Sequence, residues 1–165
     1  MKIKIIIVVV LLAVGAVIAS LYLFPSEKAK IKKQFDYLSS LVSKEKGESA
    51  IVMGYRVTAI GGLFAEKCSF EFPQNEMEGE YSPEEITAHT TRGRAMFAKI
   101  NLKFYDINPE IQNDDAVVDT TVRFYGEAIH SNKAHEETRE IQCKLKKIDG
   151  KWKFSNFKVV EVLKK

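Results

Sequence analysis

The sequence predicts an α+β domain that combines three helices with six strands. Between residues 26 and 60, apolar residues recur every three to four positions, which is the period of an amphipathic helix. From residue 64 onward they mostly alternate with polar residues, as in a strand with one buried face. A two-residue turn signal, Asp149-Gly150, separates the last two strands. The chain has 165 residues, enough for one domain whose core needs no disulfide.

The N-terminal segment is an apolar run from Ile5 to Phe24. As a helix rising about 1.5 Å per residue, it spans roughly 30 Å, the hydrocarbon thickness of a bilayer. We interpret residues 1–25 as a transmembrane anchor; the alternative is a signal peptide cleaved after Ala19. The anchor is favoured because the chain stays apolar through Phe24. Residues 26–165 are then expected to face the periplasm or the cell exterior, or to be secreted after cleavage.

The charge of the chain excludes nucleic acid as a partner. Lys2 and Lys4 supply two of the three net positive charges, which leaves +1 for residues 25–165. A nucleic-acid binder needs a clustered basic surface instead. The lysines at 28–33 form the exposed face of a helix in the simplest interpretation, and they contact anionic lipid in the alternative.

Three stretches carry helix signals. The first covers residues 26–44, and the second runs from residue 48 or 49 to Ile60, before Gly61-Gly62. Ser82 is followed by Pro83 and two acidic residues, which predicts the start of a third helix that reaches about Ala98. Its expected buried residues are Ile86, Thr90, Gly93 and Phe97.

The alternating pattern also predicts which residues pair across the sheet. Phe64 to Phe72 forms a strand, and a short partner follows that ends at Tyr81. The Asp149-Gly150 turn places Ile148 opposite Lys151. The remaining expected pairs are Leu145 with Phe154, Cys143 with Asn156, Phe124 with Ile141, Val122 with Cys143, Thr120 with Leu145, and Gly126 beside Arg139.

The order of these elements resembles the nuclear transport factor 2-like (NTF2-like) superfamily, the cone-shaped fold shared with ketosteroid isomerases, scytalone dehydratases and SnoaL-like cyclases. The resemblance covers about residues 26–163. It includes the opening of the third helix, residues 82–86, and the Asp-Gly-Lys-Trp-Lys-Phe hairpin at 149–154. It implies a curved, mixed, mostly antiparallel six-stranded sheet wrapped on three helices, with a pocket in the cone and frequent dimers through the outer sheet face.

The two cysteines are expected to be buried free thiols. The sheet order implied by the family puts one strand between Cys68 and Cys143, so their Cα atoms lie roughly 10 Å apart. That exceeds the limit of about 7 Å for a disulfide. Two cysteines are also too few for a disulfide scaffold, and they lack the spacing of a zinc site.

Pocket chemistry in such cones looks like acid–base work by a few polar residues whose pKa values burial shifts. The predicted inward face offers five candidates: Glu66, His89, Thr120, Arg139 and Asn156. A solvent-exposed position is the alternative for the charged ones. The sequence shows neither the Tyr and Asp arrangement of the isomerases nor the paired histidines of the dehydratases, and we predict no cofactor and no metal.

The outward face carries residue types that are enriched at protein interfaces. They are Tyr105, Arg123, Tyr125 and Phe157, and they predict a homodimer through the outer face of the sheet. Ordinary cross-strand pairing on a solvated sheet is the alternative.

These observations favour a membrane-tethered, noncatalytic interaction or assembly domain, with a second copy or other membrane proteins as partners. The alternative is a small-molecule-binding protein, or an enzyme of the lyase or isomerase type, that uses the cone. That alternative requires an apolar cavity of roughly 300 Å³ or more. A Lys-rich first helix on lipid is compatible with both.

Overall fold

The computed structural model describes residues 25–72, 78–129 and 134–163, together with residue 10 and residues 13–15. For residues 161–163 it describes the backbone alone. The predicted anchor, Ile5 to Phe24, therefore lies largely outside the described residues. Within those residues, no helix combines the length and the apolar character needed to cross a bilayer.

The helices after residue 25 begin where the sequence predicts, and a serine caps each of them. The hydroxyls of Ser26, Ser49 and Ser82 each accept a hydrogen bond from the backbone N–H three residues later. Each bond satisfies a donor that the first turn leaves free. Glu85 completes a capping box with Ser82. The helices are α1 Glu27–Val42, α2 Ala50–Gly61 and α3 Pro83–Met96.

The second half of α3 differs from the prediction. Thr90, Gly93 and Phe97 are half-buried, and Phe97 already begins a strand. The buried residue is Arg94, which is 2% exposed. Its guanidinium is tolerated there because it donates to backbone carbonyls at the end of α1, among them that of Leu41 at 2.8 Å.

The sheet has six strands and mixed direction, which confirms the predicted α+β class. Its order is β2-β1-β6-β5-β4-β3. The β1–β6 pair is parallel, and every other neighbouring pair is antiparallel. The strands are β1 Phe64–Glu71, β2 Glu78–Tyr81, β3 Phe97–Gln112, β4 Asp115–Ala128, β5 Ala134–Ile148 and β6 Lys151–Leu163.

The β5–β6 hairpin follows the predicted register only near its turn. Asp149 and Gly150 both have positive φ, as a type I′ turn requires, and Leu145 pairs with Phe154. A register shift follows between Lys144 and Leu145, so that Cys143 faces Phe157. The predicted pairing of Cys143 with Asn156 is therefore wrong.

The predicted β4–β5 register is wrong by four residues. Thr120 pairs with Ile141, and Val122 pairs with Arg139. The last pair before the connection is Glu127 with Ala134, so the connection is longer than the turn that the sequence indicates. Because four is an even number, each residue keeps its predicted face of the sheet.

A cluster of aromatic rings fixes α1 against the inner face of the sheet. Phe35 is fully buried and meets Phe104 and Phe154 edge to face, with ring centroids 5.1 and 5.0 Å apart. Burial of each such side chain stabilises the fold by about 1.5–3 kcal/mol. Val118 and Leu145 are fully buried in the same core cluster as Phe35. The core around α1 is therefore closed to solvent at these residues.

Candidate functional site

A cavity of about 360 Å³ lies between the helices and the inner face of the sheet. It exceeds the roughly 300 Å³ that a small-molecule site needs. Its wall is mostly apolar, with a few polar side chains at defined positions. The lining residues are Leu38, Val42, Ile60, Phe64, Phe70, Phe72, Ile86, His89, Thr90, Leu102, Phe104, Val122, Phe124, Glu137, Arg139, Ile141 and Phe157.

Aromatic rings form one wall of this cavity. Phe70 and Phe157 stack with nearly parallel planes, 5.4 Å between centroids. Phe70 also contacts Phe72 and meets Tyr81 edge to face. Offset and edge-to-face rings of this kind stabilise each other by about 0.5–1.5 kcal/mol beyond their buried area. The wall is therefore a packed platform on which a flat apolar ligand can rest.

Arg139 and Glu137 supply the charged groups of the cavity. They lie two residues apart on β5, so both side chains project from the same face. Arg139 Nε donates to Glu137 Oε1 at 2.6 Å. The Arg139 side chain is 10% exposed and that of Glu137 is 30% exposed. Because Glu137 already neutralises the Arg139 charge, the guanidinium can also donate a hydrogen bond to a ligand oxygen in this apolar wall.

His89 reaches the cavity from the helical side, on α3 next to Thr90. Its ring meets Tyr81 edge to face, with centroids 5.3 Å apart. Within the described part of the chain, no hydrogen-bond or ion-pair partner orients the imidazole. A general base of the usual kind has a group that fixes its tautomer and its direction. His89 is thus available to a ligand at the cavity wall.

The structure brings two of the five predicted pocket residues to the cavity, His89 and Arg139. Glu66 is exposed and does not line it. Thr120 is buried but lies away from it, and its hydroxyl donates to the Tyr105 carbonyl at 2.6 Å. The β3 backbone bulges next to that carbonyl, at Asp106, where φ is positive.

Asn156 was predicted to face the pocket and faces outward instead. Its side-chain amide donates to Ser69 Oγ and to Glu71 Oε1, both at 2.8 Å. The bond from Asn156, with a further contribution from the Lys158 ammonium, lowers the pKa of the Glu71 carboxyl. The register shift in β6 exchanges the faces of Asn156 and Phe157, so Phe157 is 6% exposed and packs in the core. Its predicted place on the dimer face is wrong.

Sequence reasoning missed Glu137 as a cavity residue. The strand pattern contained the signal, because Glu137 alternates in phase with Arg139 and Ile141.

No metal-binding group of three or more His, Cys, Asp or Glu side chains occurs among the described residues. His135 Nε2 lies 3.7 Å from Glu137 Oε2, while His130 lies outside the described residues.

The other three outer-face candidates do lie together. Tyr105, Arg123 and Tyr125 line a depression of about 250 Å³ with Lys99, Asn101 and Lys103. Arg123 is bound to Glu136 on β5, and Nε donates to Oε1 at 2.7 Å. That hydrogen bond and the carboxylate charge raise the pKa of Arg123.

Comparison with known proteins identifies the fold alone. No family model matches the chain, and none of the curated proteins matches it. Among solved structures, an NTF2-like superfamily protein from Salmonella enterica superposes with a TM-score of 0.66 at 15% identity, covering 83% of this chain and 92% of that one.

Two further solved structures are named as enzymes. One is a protein assigned as a scytalone dehydratase from Novosphingobium aromaticivorans, with a TM-score of 0.64 at 15% identity over 81% of this chain and 83% of that one. The other is a hexachlorocyclohexane dehydrochlorinase, LinA Type2, with a TM-score of 0.62 at 14% identity over 82% and 88%. These TM-scores establish the fold as an NTF2-like cone. Because the identities are low, the function has to be argued from the site.

Proposed function

We propose that this domain binds one small, largely apolar molecule in the cone and holds a polar or anionic group of that molecule at Arg139. The cavity, about 360 Å³ with a wall of stacked rings, is the observation that supports this. It favours the small-molecule alternative over the interaction module that the sequence alone favoured.

We further propose that residues 5–24 tether the domain to a membrane, with the domain in the periplasm or at the cell exterior.

Binding without catalysis is favoured because His89 lacks an orienting acid in the described chain. The alternative is a lyase, since two proteins of the same fold are named as a dehydratase and a dehydrochlorinase. In that case His89 is the candidate base. His89→Gln would then abolish turnover of a molecule that co-purifies with the chain while leaving its binding intact, and native mass spectrometry would identify that molecule.

The binding proposal can be tested with 8-anilinonaphthalene-1-sulfonate, an apolar anion that fluoresces when it leaves water. Arg139→Gln should weaken its binding roughly 10-fold or more, the usual loss for a hydrogen bond to a charged group. Arg123→Gln is the matched control, because Arg123 is also paired with a β5 glutamate but lies on the outer face. Equal effects of the two substitutions, at unchanged thermal stability, would exclude the cone as the binding site.

A second candidate function is association through the outer sheet face, supported by the exposed Tyr105 and the depression beside it. Arg123→Glu should then convert a dimer into a monomer without unfolding it, as measured by sedimentation velocity. Phe157→Glu is unsuitable for this test because Phe157 is part of the core. A monomer before any substitution would exclude this role.

A further inference from the structure

The surface formed by α1 and α2 exposes several large apolar side chains. Ile51 is 85% exposed and Tyr55, one turn later, is 68% exposed. Val52 and Tyr37 are 41% and 42% exposed on the same two helices. The nearby Tyr55 hydroxyl raises the pKa of Tyr37, so these two side chains bring the exposed residues of α1 and α2 close together. Single exposed apolar residues are ordinary, but a contiguous patch indicates a binding surface.

A basic groove continues this patch toward the β5–β6 hairpin. It has a volume of about 420 Å³ and is lined by Lys30, Lys151 and Lys153, with Tyr37 at one side. Lys30 Nζ is paired with Glu27 Oε1 at 2.6 Å, while no carboxylate is among the residues that line the groove itself. Lys153 Nζ donates to the Gly62 carbonyl at 2.8 Å, which holds that ammonium at the groove. We call the apolar patch and this groove together the hairpin face. It comprises Lys30, Tyr37, Ile51, Val52, Tyr55, Lys151 and Lys153.

The position of this face in the chain indicates what it contacts. α1 begins at Glu27, and residues 25 and 26 alone separate it from the apolar run that ends at Phe24. Two residues reach at most about 7 Å. When that run is inserted in a bilayer, the start of α1 must lie at the headgroup region. α1 is about 24 Å long, so lying flat it would bring Tyr37 and the neighbouring α2 residues to the same surface.

We propose that the hairpin face docks on an anionic lipid bilayer, with the lysines at lipid phosphates and Ile51 and Tyr55 among the headgroups. Tyrosine is enriched at this depth of a membrane, and lysines near anionic lipid add favourable charge. Lys33 is also exposed on the outward side of α1. Asp36 shares that side and opposes the attraction in part. The proposal rests on the tether for its geometry but assigns a separate surface.

The test uses the full chain in vesicles, with a fluorescent thiol label at Ile51→Cys. The native Cys68 and Cys143 are fully buried, so the label is confined to the new site. We expect a nitroxide-bearing lipid to quench this label in phosphatidylglycerol-containing vesicles. The control is a label at Lys103→Cys, exposed on the outer sheet face, which should stay unquenched. Lys33→Gln and Lys151→Gln should each lower the ratio of docked to undocked label roughly fivefold.

Several outcomes would overturn the proposal. An unquenched label at residue 51 on a vesicle-bound chain would show that the face is not on lipid. A blue shift that grows with protein concentration, without quenching, would assign the face to a second copy. Equal quenching in pure phosphatidylcholine would remove the role of the lysines. The tether is tested separately by flotation on phosphatidylcholine vesicles in high salt, because screened lysines do not hold the chain there.

Discussion

Arg94 shows how one residue joins three segments of this fold. Its Nη1 donates to the Leu41 and Ser43 carbonyls at 2.8 and 3.2 Å, and its Nη2 pairs with Glu48 at 2.5 Å. These carbonyls belong to the end of α1, where the helix dipole is negative, so a cation is favourable there. Glu48 has a side chain that is 5% exposed. The pair therefore locks the α1–α2 connection onto α3.

Replacing Arg94 with alanine should destabilise the protein by about 3–5 kcal/mol, because it leaves the Glu48 charge buried without its main partner. Urea unfolding at neutral pH measures this loss. Arg92→Ala, on the exposed side of the same helix, should change stability by no more than about 0.5 kcal/mol. Adding Glu48→Gln to Arg94→Ala should recover part of the loss. Equal effects of the Arg94 and Arg92 substitutions would contradict the role of the buried pair.

Bulges limit what could be predicted at the scale of helices and strands. The helix starts and strand periods were predictable because caps, glycines and alternation are local signals. The β6 register shift was not, because it depends on how Phe157 packs against Phe70 across the β1–β6 pair. One such shift reverses the face of every residue beyond it. This is why Asn156 and Phe157 exchanged places.

Glu27 connects α1 to the β5–β6 hairpin, and this connection should depend on pH. Its carboxylate accepts from Lys30 Nζ at 2.6 Å and from Trp152 Nε1 at 2.8 Å, and it pairs with Lys147. Hydrogen bonds from Lys30, Lys147 and Trp152 lower the pKa of Glu27 from 4.5 to about 2. A depressed folded-state pKa contributes stability above about 4.5, and this contribution is lost as pH falls toward about 2.

Glu27→Gln should therefore be less stable than the wild type at neutral pH, with a difference that shrinks between pH 4.5 and about 2. Trp152 is the single tryptophan of the chain, so its fluorescence reports the transition during urea unfolding. Glu110→Gln, exposed on β3, is the control and should show no such convergence. A pH-independent difference would mean that the amide merely packs worse than the carboxylate.

At the scale of the whole molecule, the sequence predicted the cone but not its interior. The predicted inward face of the sheet correctly placed Arg139 in the cavity wall. The predicted buried side of α3 placed His89 near that wall. Whether the many phenylalanines line a cavity or fill it depends on how their volumes meet in three dimensions. Here Val118 is fully buried in the core, while a cavity opens beside Arg139. Such a division follows from packing across elements that no local pattern encodes.

The reactivity of the two cysteines can show whether the domain unfolds as one unit. They are free and buried, which confirms the prediction, and β6 lies between their strands. Burial raises the pKa of Cys68 to about 12 and that of Cys143 well above its usual range. Neither thiol should react with 5,5′-dithiobis(2-nitrobenzoic acid) at mildly alkaline pH, since the thiolate is the nucleophile. Ile51→Cys, at an exposed position, should react at once.

In moderate urea both thiols should react at one common rate, because cooperative unfolding exposes β1 and β5 together. Peptide mapping of the labelled chain would separate the two rates. If Cys68 reacts first, the β2–β1 edge opens independently, and the aromatic wall formed by Phe70 and Phe157 opens with it. A ligand bound in the cone should slow a common rate by the factor that mass action predicts. It should slow Cys68 alone if that edge is the entrance to the cavity.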